Sequence, residues 1–307
     1  MLFFIIILGF VLRIINLNQS LWLDEAINVL ATQKFSLLEM VTEYARADFH
    51  PPLFFIILWI WTKFFGTEEI LVRTPSVIFG MITVYLIYLL GQKIHSKILG
   101  FVSALLLAIN PLHIYYSQEA RMYALAALAV TLNFFFIINL GRDKKINILY
   151  LTFSNLSILL SDYVAYLIFP AQFIYLLIIK KKAIKIWLLG LGLASLTFIW
   201  WIPVLQKQLD IGAVTAANLP AWKFVVGGFD TKTMPLTLVK FIIGRIGLAD
   251  KNVYLLAMLH ICSLFLFLIF RGIKTYKNQS IILLLSWMSV PVILATLISF
   301  VIPVYSY

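Results

Sequence analysis

Residues 252–270 read NVYLLAMLHICSLFLFLIF, a run without a single charge, and Arg271 follows directly. A helix of about 20 apolar residues is long enough to cross the hydrocarbon core of a bilayer. The stretch therefore predicts a transmembrane helix that ends at a basic loop. The same arrangement, an apolar run flanked by Lys or Arg, recurs along the rest of the chain.

The composition of the whole chain is that of a membrane protein. Of its 307 residues, 63% are hydrophobic and 12% are charged, whereas soluble domains average about 45–50% apolar and about 25% charged residues. The mean hydropathy is +1.00. These values exclude a soluble enzyme, a disordered protein and a disulfide scaffold. The single cysteine, Cys262, allows no internal disulfide and is interpreted as a buried thiol.

The net charge of the chain has a topological interpretation. A formal charge of +11 would suggest a nucleic-acid partner for a soluble protein. Here most basic residues lie between apolar runs, where Lys and Arg fix the orientation of membrane helices. We therefore expect membrane lipids, and no nucleic acid, among the partners.

The apolar runs predict an all-α, polytopic membrane protein that forms one domain over residues 1–307. We expect about nine transmembrane helices, at 1–17, 74–92, 98–116, 123–140, 147–160, 164–179, 186–203, 252–270 and 280–303. A further apolar stretch, 51–65, is short for a span and contains Lys63, so we expect it to lie in the interface or dip into one leaflet. Because Tyr307 closely follows an apolar run, we also expect further helices beyond it, as in a C-terminally truncated fold.

Short basic loops indicate which side of the membrane each segment faces. The four loops contain, in order, Lys93 and Lys97; Arg142, Lys144 and Lys145; Lys180, Lys181, Lys182 and Lys185; and Arg271, Lys274 and Lys277. The positive-inside rule places them all in the cytoplasm, and they share one side if 51–65 does not cross. Segments 18–73 and 204–251 are then large outer loops, the first with juxtamembrane helices and the second with short interfacial helices.

The acidic residues are concentrated on the predicted outer side. Only Asp143 falls on the cytoplasmic side. Because acidic residues contribute little to orientation, this bias suggests that polar chemistry takes place outside. The alternative is that the outer loops are simply longer and need solvation.

The first outer segment carries an acidic pair soon after a membrane helix. Trp22 precedes Asp24 and Glu25. A carboxylate here could act as a base at the membrane surface, with Trp22 anchoring the segment in the interface. The alternative is structural, with Asp24 as the cap or first-turn acid of a short helix.

A second polar cluster precedes the short apolar stretch. It reads Asp48-Phe49-His50-Pro51-Pro52-Leu53. Pro51 is acceptable in the first turn of a helix that begins here. We interpret His50 either as a ligand or hydrogen-bond donor that faces the same cavity as Asp24, or as a polar residue at a helix start.

A third cluster, from Ser117 to Tyr123, follows the helix-breaking pair Asn110-Pro111. Arg121 in this outer turn could bind a phosphate through two parallel hydrogen bonds. The alternative is a solvated turn in which Glu119 and Arg121 form a local salt bridge. Arg73 is either a second phosphate contact or an arginine that snorkels to the interface, and Arg13 is interpreted as a snorkelling anchor too.

Several motifs of soluble enzymes are absent from the sequence. There is no P-loop, no dinucleotide fingerprint, no His-Glu-x-x-His and no Asp-x-Asp. No metal site or cofactor is implied, although the residues are compatible with a divalent metal. Ion-coupled transporters usually carry ionisable groups deep inside their spans; the only candidate, Asp162, is placed in a short outer turn.

Together these clusters resemble the GT-C-fold membrane glycosyltransferases that use polyprenyl-phosphate sugars. The branch is that of the protein O-mannosyltransferases and the lipid A aminoarabinose transferase, similar to glycosyltransferase family 39. The resemblance covers about residues 10–170. It rests on Asp24-Glu25, His50-Pro51-Pro52-Leu53, Gly66 with Glu69, Arg73-Thr74-Pro75-Ser76, Asn110-Pro111, and Ser117 through Tyr123.

The resemblance implies an inverting transfer with Asp24, from the Asp-Glu pair, as the catalytic base. With the residue-based interpretation, Glu25 joins it in the catalytic pair, and Arg121 and Arg73 bind the donor phosphate. The substrate contacts are then His50, Glu119 and Tyr123.

The partners expected from this resemblance are a polyprenyl-phosphate-sugar donor and a hydroxyl acceptor. That acceptor is a protein, a glycolipid or a cell-wall polymer. The compact loops suggest a bacterial inner membrane, with the site on the outer, periplasmic face. The aromatic residues Trp222 and Tyr44 could stack on sugars, and interface anchoring explains them equally well.

Two other functions remain as alternatives to the glycosyltransferase. One is a transporter or flippase for a lipid or lipid-linked sugar, which would use the same anionic-lipid site without chemistry at Asp24. The other is a non-catalytic membrane assembly factor.

Overall fold

Helices account for all the regular secondary structure in residues 1–140, 144–218, 233–244, 250–275 and 278–300, which are the residues that the computed structural model describes. The predicted all-α class is thus confirmed. Arg142, Asp143, Trp222, Lys277, Tyr307 and part of the predicted loop 204–251 lie outside these ranges.

The described helices are numbered here in chain order. In the first part of the chain they are α1 (Leu2–Ile14), α2 (Leu23–Lys34), short helical turns between 37 and 47, α3 (Leu53–Phe65), α4 (Glu69–Ile94), α5 (Lys97–Ala108), α6 (Pro111–Ser117) and α7 (Tyr123–Ile138). After these come α8 (Lys144–Ser161), α9 (Ile168–Ile179), α10 (Ile184–Phe198), α11 (Ile202–Asn218), α12 (Thr233–Ile243), α13 (Lys251–Thr275) and α14 (Asn278–Ile298).

Within the described ranges, each expected span falls on one helix or on two successive helices, and the lengths of these helices differ. Among the described residues, four helical segments are long and apolar enough to cross a membrane, and α5 with α6 would make a fifth that is bent by 63°. The four are Glu69–Ile94, Lys181–Thr215, Lys251–Lys274 and Gln279–Ile298, whereas Leu2–Ile14, Leu53–Phe65, Tyr123–Ile138 and Val164–Ile179 are shorter apolar helices.

One element extends further than the hydropathy pattern predicts. The expected span 186–203 continues as helix through α11 to Asn218, into the segment predicted as an outer loop. Pro203 stands in the first turn of α11, directly after the 3₁₀ turn Ile199–Trp201. A proline in a first helical turn gives up no helical hydrogen bond, so it does not end the helical course of the chain.

Arg13 of α1 contacts the carboxyl end of α5 and side chains of α6. Arg13 is fully buried among protein groups, so the snorkelling interpretation of this residue does not hold. Its cationic group lies at the carboxyl end of α5, where unpaired carbonyls carry partial negative charge. The contacts are Nη1 to the carbonyls of Gly9 (2.8 Å) and Ala108 (3.0 Å), Nη2 to that of Leu107 (3.4 Å) and to His113 Nδ1 (2.6 Å), and Nε to Ser117 Oγ (3.2 Å).

Pro75 lies inside α4 without leaving an orphaned carbonyl. A proline lacks the N–H that would bond to the carbonyl four residues earlier, which here belongs to Leu71. That carbonyl instead accepts a hydrogen bond from Trp61 Nε1 on α3, at 2.8 Å. The indole therefore fastens the short apolar helix α3 to α4.

Small residues allow α4 and α5 to pack closely. A Cβ built on Gly91 of α4 would come within 2.8 Å of the Gly100 Cα on α5. Such a distance leaves no space for any side chain. Close backbone contact of this kind is common between membrane helices, where packing replaces the hydrophobic effect as the driving force.

The chain forms two compact units. The first comprises the described residues of 1–109, 113–166 and 182–218; in it, α4 packs against α5 and α7, and α8 packs against α7 and α10. The second comprises 110–112, 167–181 and the described residues from 233 onward; in it, α9 packs against α14, and α12 against α13. All the candidate site residues described below belong to the first unit.

Candidate functional site

The amino end of α2 separates the roles of its two acidic residues. Trp22 precedes the helix, and its backbone N–H donates to Glu25 Oε2 at 3.3 Å. Glu25 therefore caps the helix, whereas Asp24 lies in its first turn as one of the two acidic residues there. The Asp24 side chain keeps 40% of its surface exposed, whereas Glu25 is fully buried.

Glu25 forms a buried ion pair with Arg73 of α4. Arg73 Nε donates to Glu25 Oε1 at 2.9 Å, and Nη2 donates to Oε2 at 2.6 Å, a bidentate arrangement. The remaining N–H groups of Arg73 donate to the backbone carbonyls of Leu17, Gln19 and Ser20. All five guanidinium donors are thereby used within the protein.

One turn of α2 also holds the segment before Arg121. The Ala120 N–H donates to Glu25 Oε1 at 2.7 Å, and Asn28 Nδ2 donates to the Ala120 carbonyl at 3.3 Å. Tyr44 fixes Asn28 in turn, since its hydroxyl donates to Asn28 Oδ1 at 2.5 Å. Both backbone polar groups of Ala120, the N–H and the carbonyl, are therefore hydrogen-bonded to α2, the helix that carries Asp24.

Arg121 lies at the centre of the site and is only 4% exposed. Its Nη2 is 3.7 Å from Asp24 Oδ2, and its Nη1 is 3.6 Å from Asp48 Oδ2. Both distances exceed those of direct hydrogen bonds, so the carboxylates attract the guanidinium without saturating its donors. The Tyr123 side chain interacts with the guanidinium as well. Its Nε has no hydrogen-bond partner in the described part of the chain.

The electrostatics of the site keep Arg121 charged. Burial lowers the pKa of Arg121, but the charges of Asp48 and Asp24 and the contact with Tyr123 raise it above its ordinary value. The cation is therefore retained at every physiological pH.

Asp48 links Arg121 to His50. His50 Nδ1 lies 2.5 Å from Asp48 Oδ1, while Asp48 Oδ2 faces Arg121. Burial acts to raise the pKa of Asp48, but the hydrogen bond and charge of His50 and the charge of Arg121 lower it below its ordinary range. Sequence reasoning quoted Asp48 beside His50 without assigning it a role.

Asp162 is a second carboxylate that sequence reasoning left outside the site. Its Oδ1 accepts the backbone N–H of Val164 at 2.8 Å in the turn after α8. Burial raises the pKa of Asp162, and the charges of His50 and Arg121 oppose this rise. Its position between two apolar helices was the available signal, because an ionisable group there is costly.

The structure thus brings several of the predicted residues together around Arg121. Asp24 and Tyr123 contact it, and His50 reaches it through Asp48. Glu119 is buried in the same turn, and its charge acts on Tyr123. Glu25 and Arg73 pair with each other, and Glu25 also accepts the N–H of Ala120, the residue before Arg121. Within the described ranges, no group of three or more His, Cys, Asp or Glu side chains is placed to hold a metal ion.

Comparison with known proteins identifies the class of this helical membrane protein. A family model described as dolichyl-phosphate-mannose-protein mannosyltransferase matches residues 49–205, and it defines a glycosyltransferase of the GT-C type. The matched segment is just over half of the 307 residues. The chain belongs to this family, which confirms the resemblance drawn from the sequence.

The matched segment contains some of the candidate site residues and not others. It includes His50, Arg73, Arg121 and Asp162, and it begins after Asp24. No curated protein and no solved structure matches the chain. The roles of individual residues must therefore be argued from their geometry.

Proposed function

We propose that this glycosyltransferase moves a sugar from a polyprenyl-phosphate donor to an acceptor hydroxyl, with inversion at the anomeric carbon. The observation that carries the proposal is the pairing of a part-exposed carboxylate, Asp24, with a buried and charged arginine, Arg121, 3.7 Å away. A displacement of this kind needs one group to take a proton and another to stabilise a leaving anion. These two side chains meet both needs side by side.

The proposed reaction is a single displacement. The acceptor oxygen attacks the anomeric carbon from the face opposite the phosphate, forming a new carbon–oxygen bond while the bond to the phosphate oxygen breaks. Asp24 receives the hydroxyl proton, a role typically worth about 10²–10⁴-fold in rate. The polyprenyl phosphate leaves as a stable anion and needs no general acid.

Arg121 is proposed to bind the donor phosphate. Its Nε is a buried donor that no described residue accepts from, and its two Nη groups stand at more than hydrogen-bond distance from Asp24 and Asp48. Preorganised donors at the position where negative charge develops are among the strongest contributions to catalysis.

Glu25 and Arg73 are proposed to act as positioning residues. The carboxylate of Glu25 accepts from Arg73, Trp22 and Ala120, so it has no capacity left to take a proton. Arg73 likewise has no donor left for a phosphate. This geometry favours a supporting role for the pair over the direct catalytic and phosphate-binding roles expected from the sequence.

His50, Glu119 and Tyr123 are proposed to line the substrate site. His50 and Tyr123 reach Arg121 from different segments, the one through Asp48 and the other directly. We place the reaction at the outer face of the membrane, as the basic loops suggest, and take a bacterial inner membrane as the working hypothesis. The acceptor class stays open among protein, glycolipid and cell-wall polymer.

The first test replaces the proposed base. In nanodiscs, a panel of polyprenyl-phosphate sugars is offered with a membrane extract as acceptor, and release of polyprenyl phosphate is followed. Asp24→Asn should lower kcat by about 10²–10⁴-fold and leave donor binding unchanged. Asp210→Asn, an exposed position on α11, is the matched control. Donor affinity falling in parallel with turnover would contradict the role as base, and flipping of the donor without release would favour a transporter.

The second test addresses the phosphate contact. Arg121→Ala should raise the donor KM by about 10- to 100-fold, since hydrogen bonds to a charged group contribute about 1.5–3 kcal/mol. Arg121→Lys, which keeps the charge but loses the planar fork, should give a smaller rise. Arg46→Ala, at an exposed position before Asp48, serves as the control. A donor KM that is the same in all three variants would refute the assignment.

A further inference from the structure

Gln208 of α11 reaches the segment that carries Asp48. The residue is 3% exposed. Its Nε2 donates to the Ala45 carbonyl at 2.7 Å and also to the Asp48 carbonyl. The two acceptors lie at the end of the helical turns between 37 and 47, so one amide group closes the end of this segment. Gln208 lies beyond residues 49–205, the part of the chain that matches the family.

Two aromatic residues fix the orientation of the Gln208 amide. Trp201 Nε1 donates to the Tyr163 hydroxyl at 2.8 Å, and that hydroxyl donates to Gln208 Oε1 at 2.5 Å. Burial raises the pKa of Tyr163 to about 12, so its hydroxyl keeps its proton. The series begins at an indole that can only donate and ends at carbonyls that can only accept. Each hydrogen bond in it therefore has one possible direction.

We propose that Gln208 is a positioning residue of the transferase site, acting through the backbone of Asp48. The side chain of Asp48 contacts both His50 and Arg121, so a shift of its backbone would move the partner of each. Tyr163 and Trp201 support Gln208 from behind. The catalytic part of this inference rests on the proposed function, whereas the tether itself is a structural claim that can be tested without turnover.

The sharpest variant is Gln208→Glu. A glutamate has the same length and can still accept from Tyr163, but it lacks the NH₂ group that donates to both carbonyls: when ionised it donates to neither Ala45 nor Asp48, and when protonated to one at most. Gln206→Glu is the matched control, because Gln206 lies two residues away on an exposed side of the same helix. Both variants exchange an amide for a carboxyl group on the same helix, but only Gln208→Glu removes the contacts with the Ala45 and Asp48 carbonyls.

Hydrogen–deuterium exchange in nanodiscs measures the tether directly. The Asp48 N–H donates to the Tyr44 carbonyl at 3.1 Å, so its exchange should be protected in the wild-type protein. We expect exchange over residues 45–50 to become at least about tenfold faster in Gln208→Glu and to stay unchanged in Gln206→Glu. Equal exchange in the two variants overturns the inference, whether or not the protein turns over any donor.

The pH profile of turnover then separates positioning from general weakening of the fold. The titratable groups that act on Asp48 are His50, Arg121, Tyr44 and Tyr163. Loss of the tether would move Asp48 away from His50 and Arg121, which lower its pKa. The acid limb of kcat/KM should therefore move to higher pH in Tyr163→Phe, which adds no charge, as well as in Gln208→Glu, and kcat/KM of Gln208→Glu at neutral pH should fall by about 10- to 100-fold.

The outcomes of the two measurements are distinguishable. Faster exchange with an unmoved pH profile and unchanged kcat/KM overturns the positioning role, and so does a fall in activity that is uniform across pH. Absence of turnover by the wild-type protein on every donor contradicts the proposed function instead, and exchange alone then decides whether Gln208 is the tether. Tyr163→Phe should also speed hydrogen–deuterium exchange over residues 45–50, but by less than Gln208→Glu, because the Gln208 amide keeps its contacts with the two carbonyls.

Discussion

Asp48 and Asp162 both interact with His50 and Arg121, yet their pKa values shift in opposite directions. Asp48 has a lowered pKa because His50 and Arg121 outweigh its burial, and Asp162 has a raised pKa because burial outweighs the same two cations. The ionised form of Asp48 and the protonated form of Asp162 are therefore the forms that favour the folded state.

Because the two pKa values shift in opposite directions, substitution of each aspartate by asparagine should change the stability of the protein at pH 7 in opposite directions. The contribution of Asp48 is present above its ordinary pKa of 3.8 and is lost as the pH falls through its lower folded-state pKa. The contribution of Asp162 is present below 3.8 and is lost as the pH rises through its higher folded-state pKa. At pH 7, Asp48→Asn should lower the apparent melting temperature in detergent, and Asp162→Asn should keep or raise it.

Thermal unfolding measured between pH 7 and pH 3 checks this prediction. The Asp162→Asn difference should shrink as the pH falls from 7 towards about 4, whereas the Asp48→Asn difference should shrink only below about pH 4. Asp210→Asn, at an exposed position, should show little difference at any pH. Stabilisation by Asp48→Asn at pH 7, or destabilisation by Asp162→Asn, would show that the balance of burial and charge has been assigned wrongly.

The individual site residues were predictable to different degrees. The residue types at Asp24 and Arg121 suggested a base and a phosphate ligand, because a carboxylate and an arginine at the ends of apolar runs suit a phosphate-linked substrate, and these roles stay predictions. The network around Glu25 and Gln208 was not predictable, since its bonds join residues 95 and 160 positions apart. No local pattern carries such information.

The helix α4 illustrates how one element depends on another. Because Pro75 leaves the Leu71 carbonyl without its helical partner, Trp61 of α3 supplies the missing donor. The sequence allowed a helix start near Thr74-Pro75, and the structure instead begins α4 at Glu69, with the proline inside it. Propensity alone could not predict this extension, since the compensating donor lies on a different helix.

This contact predicts a rescue between two substitutions. Trp61→Phe should destabilise the protein by about 1–3 kcal/mol, because the Leu71 carbonyl loses its partner. In a Pro75→Ala background the backbone N–H of residue 75 becomes available to that carbonyl, so the same substitution should cost less. A double-mutant cycle of unfolding free energies in detergent measures the coupling. Additive effects of the two changes would contradict the compensation.

The molecule as a whole was predictable in its class and in the order of its helices, since both follow from hydropathy. Its division into two compact units was not predicted, because contacts between distant helices leave no mark on local composition. The orientation in the membrane is still a prediction from the basic loops, and it decides which side of the membrane the candidate site faces.

Cysteine labelling tests this orientation. Cys262 is first replaced by Ser, and single cysteines are introduced at Glu43 and Lys182, which are both exposed. In cells with an intact plasma membrane, a membrane-impermeant maleimide should label position 43. It should label position 182 only after permeabilisation, because that loop also contains Lys181 and Lys185. The reverse pattern would place the candidate site in the cytoplasm.

The buried Arg13 has a consequence for the synthesis of the chain. Within α1 its guanidinium has one hydrogen-bond partner, the carbonyl of Gly9, and its other partners follow 94 to 104 residues later. At about 5–20 residues per second, a ribosome needs roughly 5–20 seconds to supply them. The first helix is thus made seconds before most hydrogen-bond partners of its arginine exist, and we expect α1 to be retained at the translocon until α6 emerges.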